Sequence, residues 1–350
     1  MKRYSPLKRP RHWLPSLLGL LCLLHAVLSA APAPAWQVEL KVMSYNVRKG
    51  VDANQQRAIF EVQRVVAGQL PDLLAVQEID EKDAGLLART SGFAHHATVR
   101  AYGPENWRPR LAVFSRWPIT ITALPLANSK GQRKFAKAVI DMQGIPLVFY
   151  AAHFSREGLV DSGGKGLLKE VLGMSSRSDQ MASIVDDIKA DRHRYRILAG
   201  DLNTFPLSAP YRQLSEVMQD AFPDMLGKGS YKVSEIKGGR FQDMPSPKID
   251  HIFHGQGMKA LSAQVVEDGP SDHYPVTALL ALQVSGHGLG PGEIKSAQET
   301  LRGLGLGSLQ PSGEMDPATR RAIARFQKTH NLTIDGNLNP ETWRKLRQMR

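Results

Sequence analysis

Residues 195–204 read Tyr-Arg-Ile-Leu-Ala-Gly-Asp-Leu-Asn-Thr, a short apolar run that ends in two polar side chains. A run of this kind predicts a buried strand over 195–200. Asp201 and Asn203 are two residues apart, so on extended backbone their side chains point the same way. Both residue types also favour turns, and a plain turn is the alternative interpretation. The choice depends on what the rest of the chain brings to this strand end.

Similar polar motifs end or border other predicted strands. Taken singly each is weak, because a Gln-Glu pair after a strand is usually solvated and a histidine in an apolar run usually belongs to the core. Together they indicate a site, since strand ends present polar side chains on loops that a rigid sheet holds in place. The motifs are Ser44-Tyr45-Asn46, Gln77-Glu78, Ala152-His153, Lys248-Ile249-Asp250-His251 and Ser271-Asp272-His273.

The order of elements favours two packed sheets over one parallel sheet. Val38, Leu40 and Val42 occupy every second position, which is the period of a half-buried strand. Helical spacing predicts helices over 55–69 and 177–190. Predicted strands far outnumber helices, which argues against the alternation of a doubly wound sheet. Further strands are expected at 73–76, 110–115, 119–124, 136–141, 146–152, 249–254, 259–266 and 274–284.

The residue types in these motifs limit the chemistry. The single cysteine, Cys22, lies in a segment that we expect to be removed, so thiol catalysis and thiolate metal ligands are excluded from the mature chain. Carboxylate and amide oxygens are hard ligands. They suit Mg²⁺, with Mn²⁺ or Ca²⁺ as alternatives, better than a structural zinc site.

In this order the motifs resemble those of the endonuclease/exonuclease/phosphatase superfamily, which includes DNase I-like nucleases, abasic-site endonucleases, inositol polyphosphate phosphatases and bacterial sphingomyelinases. The resemblance covers residues 40–284. It implies an α+β fold, a four-layer sandwich of two mixed, mainly antiparallel sheets flanked by helices. It also implies a metal-dependent phosphoric ester hydrolase, in which Asn46 and Glu78 hold a divalent ion, with Asp272 close to the same ligands.

The resemblance implies catalytic roles for five further residues. Asp201 would orient or deprotonate the attacking water, and Asn203 would hydrogen-bond the transferring phosphate. His273, steered by Asp250, would contact the phosphate or transfer a proton. His153 is placed like the histidine that serves the leaving oxygen in the DNase I and sphingomyelinase branches. The abasic-site branch has a tyrosine there, so the sequence favours the other branches.

A second, smaller unit follows residue 285. Residues 286–292 are rich in glycine and predict a linker. Beyond it, Gly313–Thr319 and Gly336–Thr342 repeat one pattern, in which Asp316 or Asn339 caps a helix that begins at a proline. With an earlier helix over 293–303, these predict a small three-helix domain over 293–350. The pattern resembles peptidoglycan-binding domains of bacterial wall hydrolases, which implies peptidoglycan as a partner.

The first 35 residues are typical of a secretory signal peptide. Basic residues end at Arg11, an apolar run follows, and small residues come next. An uncleaved membrane anchor is the alternative. Leu21 precedes Cys22 where a lipoprotein signal has a small residue, which argues against lipidation. After this segment we expect a catalytic domain over 36–285, no membrane span, and a location in the periplasm, the cell wall or the medium.

Charge does not identify the substrate. The net charge is +12, which alone would favour a polyanion, but residues 36–285 carry only +3 of it. We therefore expect an exported, monomeric phosphodiesterase whose substrate is nucleic acid or, as the alternative, a lipid head group. A phosphomonoesterase, an enzyme that cuts a wall polymer and a non-catalytic wall-binding protein remain further possibilities.

Overall fold

The structure is a computed structural model that describes residues 36–101, 103, 110–129, 132–142, 144–156, 164–223, 229–232, 247–284 and 291–349. The predicted signal peptide (1–35) and most of the predicted linker (286–290) lie outside these residues. Among the helices described, none is long and apolar enough to cross a lipid bilayer.

The first sheet has six strands, numbered here in chain order. One pair of neighbours, Trp36–Asn46 with Leu73–Ile79, is parallel and places Asn46 opposite Gln77; the other neighbours among the described strands are antiparallel. In spatial order the strands are β11 (Met258–Val265), β12 (Val276–Val284), β1 (Trp36–Asn46), β2 (Leu73–Ile79), β4 (Arg110–Ser115) and β3 (His95–Arg100).

The second sheet also has six described strands, and in it Ile145–His153 runs parallel to Tyr195–Asp201. The parallel pair lies inside each sheet, so the carboxyl ends of two neighbouring strands meet at the same edge. In spatial order the strands are β5 (Ile119–Pro125), β6 (Lys134–Met142), β7 (Ile145–His153), β8 (Tyr195–Asp201), β10 (Asp250–His254) and β9 (Gln219–Asp220).

Helices cover the outer faces of both sheets. The first sheet packs against α1 (Ile59–Gln69) and α2 (Glu81–Thr90), and the second against α4 (Ser176–Ala190) and α5 (Ala209–Ser215). A short α3 (Gly164–Val171) precedes α4. The predicted four-layer α+β sandwich is confirmed.

Alternation along the strands builds three apolar layers. In β1, Leu40 and Val42 point into the core between the sheets, whereas Met43 and Tyr45 point outward against α1 and α2. In β7, Phe149 faces the central core and its neighbours face α4. Period-two side chains that are apolar on both faces produce sheets buried on both sides.

Some local predictions were wrong in their limits. α1 begins at Ile59 instead of residue 55, because the Asp52 carboxylate accepts hydrogen bonds from the backbone N–H groups of Asn54 and Gln56, at 2.9 and 2.8 Å, and holds a turn there. α2 was not predicted. Its signal is Asp80, which caps the helix by accepting from the Asp83 backbone N–H at 2.7 Å.

The C-terminal unit consists of α6 (Pro291–Gly303), α7 (Pro317–Thr329) and α8 (Pro340–Arg347) around one small core. The three-helix prediction is confirmed. Asp316 and Asn339 cap α7 and α8, with 2.7 and 2.8 Å bonds from the N–H groups of Thr319 and Thr342.

Two buried glutamines organise the repeat. Gln298 accepts from the Gly313 N–H at 2.9 Å and donates to Thr319 Oγ1 at 2.8 Å. Gln327 accepts from the Gly336 N–H at 2.9 Å and donates to Thr342 Oγ1 at 3.1 Å. The repeat therefore also includes a glutamine, whose side chain anchors the loop that precedes each helix.

This unit docks on the larger domain at the beginning of β7 and β8. Backbone hydrogen bonds join Ile334 to Arg192 and Arg194 at 2.9 and 3.1 Å. Gly144 and Gly336 face each other closely, so a Cβ on Gly336 would lie 2.3 Å from the Gly144 carbonyl oxygen.

Candidate active site

Asn46 and Glu78 end the parallel pair of the first sheet. Pairing of β2 with β4 shifts between Val76 and Ile79, and this bulge contains Glu78. The Glu78 backbone is left-handed, with φ of 58°, a conformation that costs a non-glycine residue about 1–3 kcal/mol. The bulge turns the Glu78 side chain toward its neighbour, so that Asn46 Nδ2 lies 3.4 Å from Glu78 Oε1.

Asp201 is the last residue of β8, and side chains from both sheets approach it. It lies opposite His153 in β7 and opposite Asp250 in β10. Its buried Oδ2 lies 3.0 Å from Asn46 Nδ2, 3.5 Å from His153 Nε2 and 3.7 Å from His273 Nε2. Three groups from distant parts of the chain thus converge on one carboxylate oxygen.

Asp250 orients His273. Its Oδ2 lies 2.8 Å from His273 Nδ1, which leaves Nε2 facing Asp201. Burial alone would lower the pKa of His273, but the carboxylates of Asp250 and Asp201 outweigh it and raise that pKa to about 10. The imidazole is therefore a cation at neutral pH.

His153 has the opposite electrostatics. It is buried, and burial lowers its pKa to about 4 despite the nearby Asp201. Burial also raises the pKa of Asp201, an effect that His273 opposes. Two imidazoles on either side of one carboxylate thus differ in charge at pH 7, which gives the site one neutral and one cationic histidine.

Asn203 corrects one expectation. From the sequence, Asn203 was expected to lie with Asp201 on extended backbone. Instead, β8 ends at Asp201, and Asn203 is left-handed, with φ of 46°. Its backbone N–H donates to Asp201 Oδ1 at 3.0 Å, and its Nδ2 donates to the Phe154 carbonyl at 3.1 Å. A turn holds both residues next to the groups that converge on Asp201, so the turn interpretation does not exclude a site here.

Asp272 lies beside the centre. Its Oδ2 is 3.7 Å from Arg48 Nε, and its Oδ1 accepts from Ser271 Oγ at 3.3 Å. Ser271 Oγ also bonds the Asn46 carbonyl oxygen at 2.7 Å and so ties this loop to β1. His251 is buried elsewhere in the sheet, with Nε2 2.9 Å from the Thr204 carbonyl, as expected for a structural histidine.

Sequence reasoning missed the aromatic and basic rim. The ring of Tyr231 packs edge-on against His273, with centroids 5.0 Å apart. Arg156 donates to the Tyr231 hydroxyl at 2.8 Å and lies over its ring. Isolated Tyr and Arg in loops carry no motif, so no local signal could have revealed them.

A buried ion pair behind the site was missed as well. Arg177 forms two bonds to Glu170, at 3.0 and 2.7 Å, and both side chains are at most 1% exposed. Arg177 also donates to the Ser155 carbonyl at 2.9 Å, and Glu170 accepts from Thr204 Oγ1 at 3.1 Å. The pair links the loop after His153 to the loop after Asp201.

Four basic residues, Lys130, Arg133, Lys134 and Lys137, form a run in the sequence, and Lys137 belongs to the scaffold. Lys137 Nζ lies 2.7 Å from Asp187 and 2.9 Å from Asp191, which is a paired arrangement and leaves little charge for a polyanion. Arg133, in the same run, donates to the His153 carbonyl at 3.4 Å.

Residues 43–273 match the model of the endonuclease/exonuclease/phosphatase family, and this match covers more than half of the chain. The chain belongs to this family. Endonuclease/exonuclease/phosphatase proteins are phosphoester hydrolases that generally depend on a divalent metal, and the polar centre described above lies within the matched region. Residues 291–346 match the model of a putative peptidoglycan binding domain.

Solved structures with this fold include three informative examples. An endonuclease/exonuclease/phosphatase from Beutenbergia cavernae has 20% identity and a TM-score of 0.55, covering 71% of this chain and 72% of the other. A mannosyl-6-phosphatase from Bacteroides thetaiotaomicron has 17% identity and a TM-score of 0.53, covering 69% and 99%. Sphingomyelinase C from Streptomyces griseocarneus has 18% identity and a TM-score of 0.51, also covering 69% and 99%. These likenesses show the fold alone. No curated protein sequence gives a significant match.

Proposed function

We propose that the protein is an exported, divalent-metal-dependent phosphodiesterase, with nucleic acid as the favoured substrate and Mg²⁺ as the favoured ion. The observation that supports this most strongly is the convergence of Asn46, His153 and His273 on Oδ2 of Asp201. A phosphate bound there meets carboxylate, amide and imidazole groups within one small volume, which is the set that phosphoryl transfer requires.

The residues of the site fit a divalent cation. Carboxylate oxygens of Glu78 and Asp201 lie 3.4 and 3.0 Å from Asn46 Nδ2, which donates to both. Asn46 would hold an ion through Oδ1, which here accepts from the Arg48 backbone N–H at 3.1 Å. Burial raises the pKa of Asp201, so this cluster favours a compensating positive charge. Asn46 and Glu78 would hold the ion, with Asp272 nearby. When bound, the ion supplies charge neutralisation at a non-bridging phosphate oxygen.

A second group of atoms is a competing candidate for the metal site, but its contacts fit metal binding less well. Atoms of Asp201, Asp250 and His273 lie within 4.8 Å of one another. However, His273 Nδ1 and Asp250 Oδ2 are bonded to each other, so the charge of this pair is already partly satisfied. We therefore assign the pair to proton control and not to metal binding.

The remaining residues divide the proton and phosphate chemistry. Asp201 orients the attacking water and accepts its proton, a role that its raised pKa suits. The cationic His273 donates to the phosphate as negative charge builds up. His153, neutral at pH 7, donates a hydrogen bond to the leaving oxygen, and Asn203 contacts the transferring phosphate.

A substrate panel tests the proposal. Purified protein is incubated with DNA, RNA, sphingomyelin and a sugar phosphate, with Mg²⁺ or with EDTA. We expect cleavage of DNA that EDTA abolishes. Asp201→Asn and Glu78→Gln should each reduce the rate by a factor of about 10²–10⁴, as loss of a proton-transfer or charge-stabilising group does. The exposed Asp186→Asn serves as the matched control and should retain full activity.

Other outcomes select the alternatives. Hydrolysis of sphingomyelin without DNA cleavage would assign the site to lipid head groups. No hydrolysis of any substrate, in the presence of Mg²⁺ or Mn²⁺, would leave a wall-binding protein whose catalytic domain is inactive. Either result would refute the nuclease assignment while leaving the family assignment intact.

We also propose that the C-terminal domain retains the protein on peptidoglycan, which the match of residues 291–346 supports. Full-length protein should pellet with insoluble peptidoglycan, and a chain that ends at residue 284 should stay in the supernatant. Export through residues 1–35 is tested by amino-terminal sequencing of the mature protein; an intact amino terminus would contradict it.

A further inference from the structure

A cleft of about 540 Å³ lies where the two domains meet. Its walls come from the segment that enters β8, from the turn at Gln256–Gly257 and from the loop Asn331–Thr333 of the C-terminal domain. It opens at the beginning of β8, whereas the catalytic Asp201 lies at the end of that strand. The cleft is therefore distinct from the candidate active site.

Three arginines line the cleft. Arg192, Arg194 and Arg196 alternate in sequence with His193 and Tyr195, and all three contribute to the cleft wall. A bridge pairs His193 with Ile334, and the chain bends at Arg194 before β8 begins. Arg192 donates to the Asn331 carbonyl of the neighbouring domain, whereas Arg196 Nη1 donates to the Ile188 and Asp191 carbonyls at 2.8 and 3.2 Å.

The guanidinium groups keep unused donors. Nε of Arg194 and Nε of Arg196 are buried and have no hydrogen-bond partner among the described residues. Arg194 is packed beneath the turn, since a Cβ on Gly257 would lie 3.0 Å from its Nε. Buried donors without partners are unfavourable, and a movement of either side chain that brought its Nε to an acceptor in the cleft would recover that free energy.

The acid in the cleft does not supply that acceptor. Asp191 already pairs with Lys137 at 2.9 Å and with His193 Nδ1 at 3.0 Å. Burial alone would raise the pKa of Asp191, but these partners outweigh it and hold the pKa at about 2. These partners offset the charge of Asp191, so the three arginines leave the cleft positive overall.

We propose that this cleft binds an oxyanion, a carboxylate or phosphate group, and that the bound anion is shared by the two domains. The planar fork of a guanidinium matches both groups, and the volume is that of an ordinary small-ligand site. The anion belongs either to a free small molecule or to the wall polymer. The inference is independent of the phosphoesterase activity.

Titration calorimetry of the full-length protein in EDTA tests the site. The probes are inorganic phosphate and muramyl dipeptide, which carries one carboxylate. We expect saturable binding of at least one probe, weakened at least tenfold by Arg194→Gln. The exposed Arg302→Gln removes the same charge elsewhere and should change the affinity less than twofold. Tighter binding of muramyl dipeptide would identify the wall polymer as the source, and binding of phosphate alone a free phosphate-bearing ligand.

NMR of the wild-type protein provides a test that needs no substitution. The Nε–H signals of Arg194 and Arg196 should shift with probe concentration. Equal affinity of wild-type protein and Arg194→Gln, or unchanged signals, would overturn the proposal. Loss of phosphate binding in His273→Ala but not in Arg194→Gln would assign the phosphate to the active site and would overturn it too, as would the absence of binding by both probes.

Discussion

At the scale of single residues, Asp250 controls the charge of His273 through one 2.8 Å contact. The folded-state pKa of His273, about 10, lies above its ordinary value near 6.5. The pair therefore stabilises the fold below pH 6.5, and this contribution is lost as the pH rises from 6.5 to 10. In Asp250→Asn the pKa of His273 should fall, and kcat should fall by a factor of about 10–100.

NMR titration of the metal-free protein measures that pKa directly. His254 is also buried, and burial lowers its pKa. It serves as the internal control, because its titration should be the same in both proteins. An unchanged His273 titration in Asp250→Asn would show that Asp250 does not set its charge.

A second residue-scale prediction compares a buried ion pair with an exposed one. Arg177→Met leaves Glu170 buried without its partner, which typically costs about 3–5 kcal/mol of unfolding free energy. Arg64→Met breaks the exposed contact of Arg64 with Asp268 and should leave the denaturation midpoint nearly unchanged. Chemical denaturation measures both. Equal midpoints for the two variants would contradict the structural role of Arg177.

The residues of the candidate site were predictable to the extent that they follow strands. Asn46, Glu78, His153 and Asp201 all stand at the ends of apolar runs, and a sheet brings such ends together. Arg177 could not have been predicted, because its role depends on a loop 22 residues away in sequence, through Ser155. Long-range polar pairs leave no periodic signal in a single sequence.

At the scale of elements, helix caps make a testable contribution to the C-terminal domain. Asp316→Ala and Asn339→Ala each remove the side chain that accepts the N–H of the third residue of a helix, Thr319 or Thr342. Each should lower the stability of that domain by about 1 kcal/mol. Glu314→Ala changes an exposed residue of the same loop and should be neutral. Thermal unfolding followed by NMR signals of the domain measures the difference; equal stability of all three variants would contradict the capping role.

The elements also show which features of the fold the periodicity of the sequence predicts and which it does not. Most strands began and ended within three residues of the predicted limits, because apolar alternation marks them. The bulge at Glu78 was not predictable, since a left-handed glutamate has no compositional mark. Yet this bulge aims the side chain at Asn46, so a departure from regular pairing brings these two side chains together.

At the scale of the whole molecule, Gly144 lets the two domains meet. A Cβ on Gly144 would lie 2.5 Å from Arg320 Cβ and 2.7 Å from the Pro317 carbonyl oxygen. Gly144→Ala should therefore separate the domains, increase the radius of gyration in solution scattering and speed hydrogen exchange at the Ile334 amide. Activity on a soluble substrate should change less than twofold.

Gly92→Ala is the matched control. Gly92 is also left-handed, with φ of 72°, but no atom lies within 4 Å of its would-be Cβ. The backbone penalty is thus the same, without the clash. If both variants open the molecule equally, or if neither does, the contact at Gly144 does not hold the domains together.

Docking at the beginning of β7 and β8 also sets the direction in which the candidate active site opens relative to the C-terminal domain. His153 and Asp201 lie at the opposite ends of these strands, and the seven residues of β8 span roughly 20 Å. An enzyme held on the sacculus by its C-terminal domain would thus present its reactive end to the surrounding fluid. It would meet molecules that diffuse past the wall.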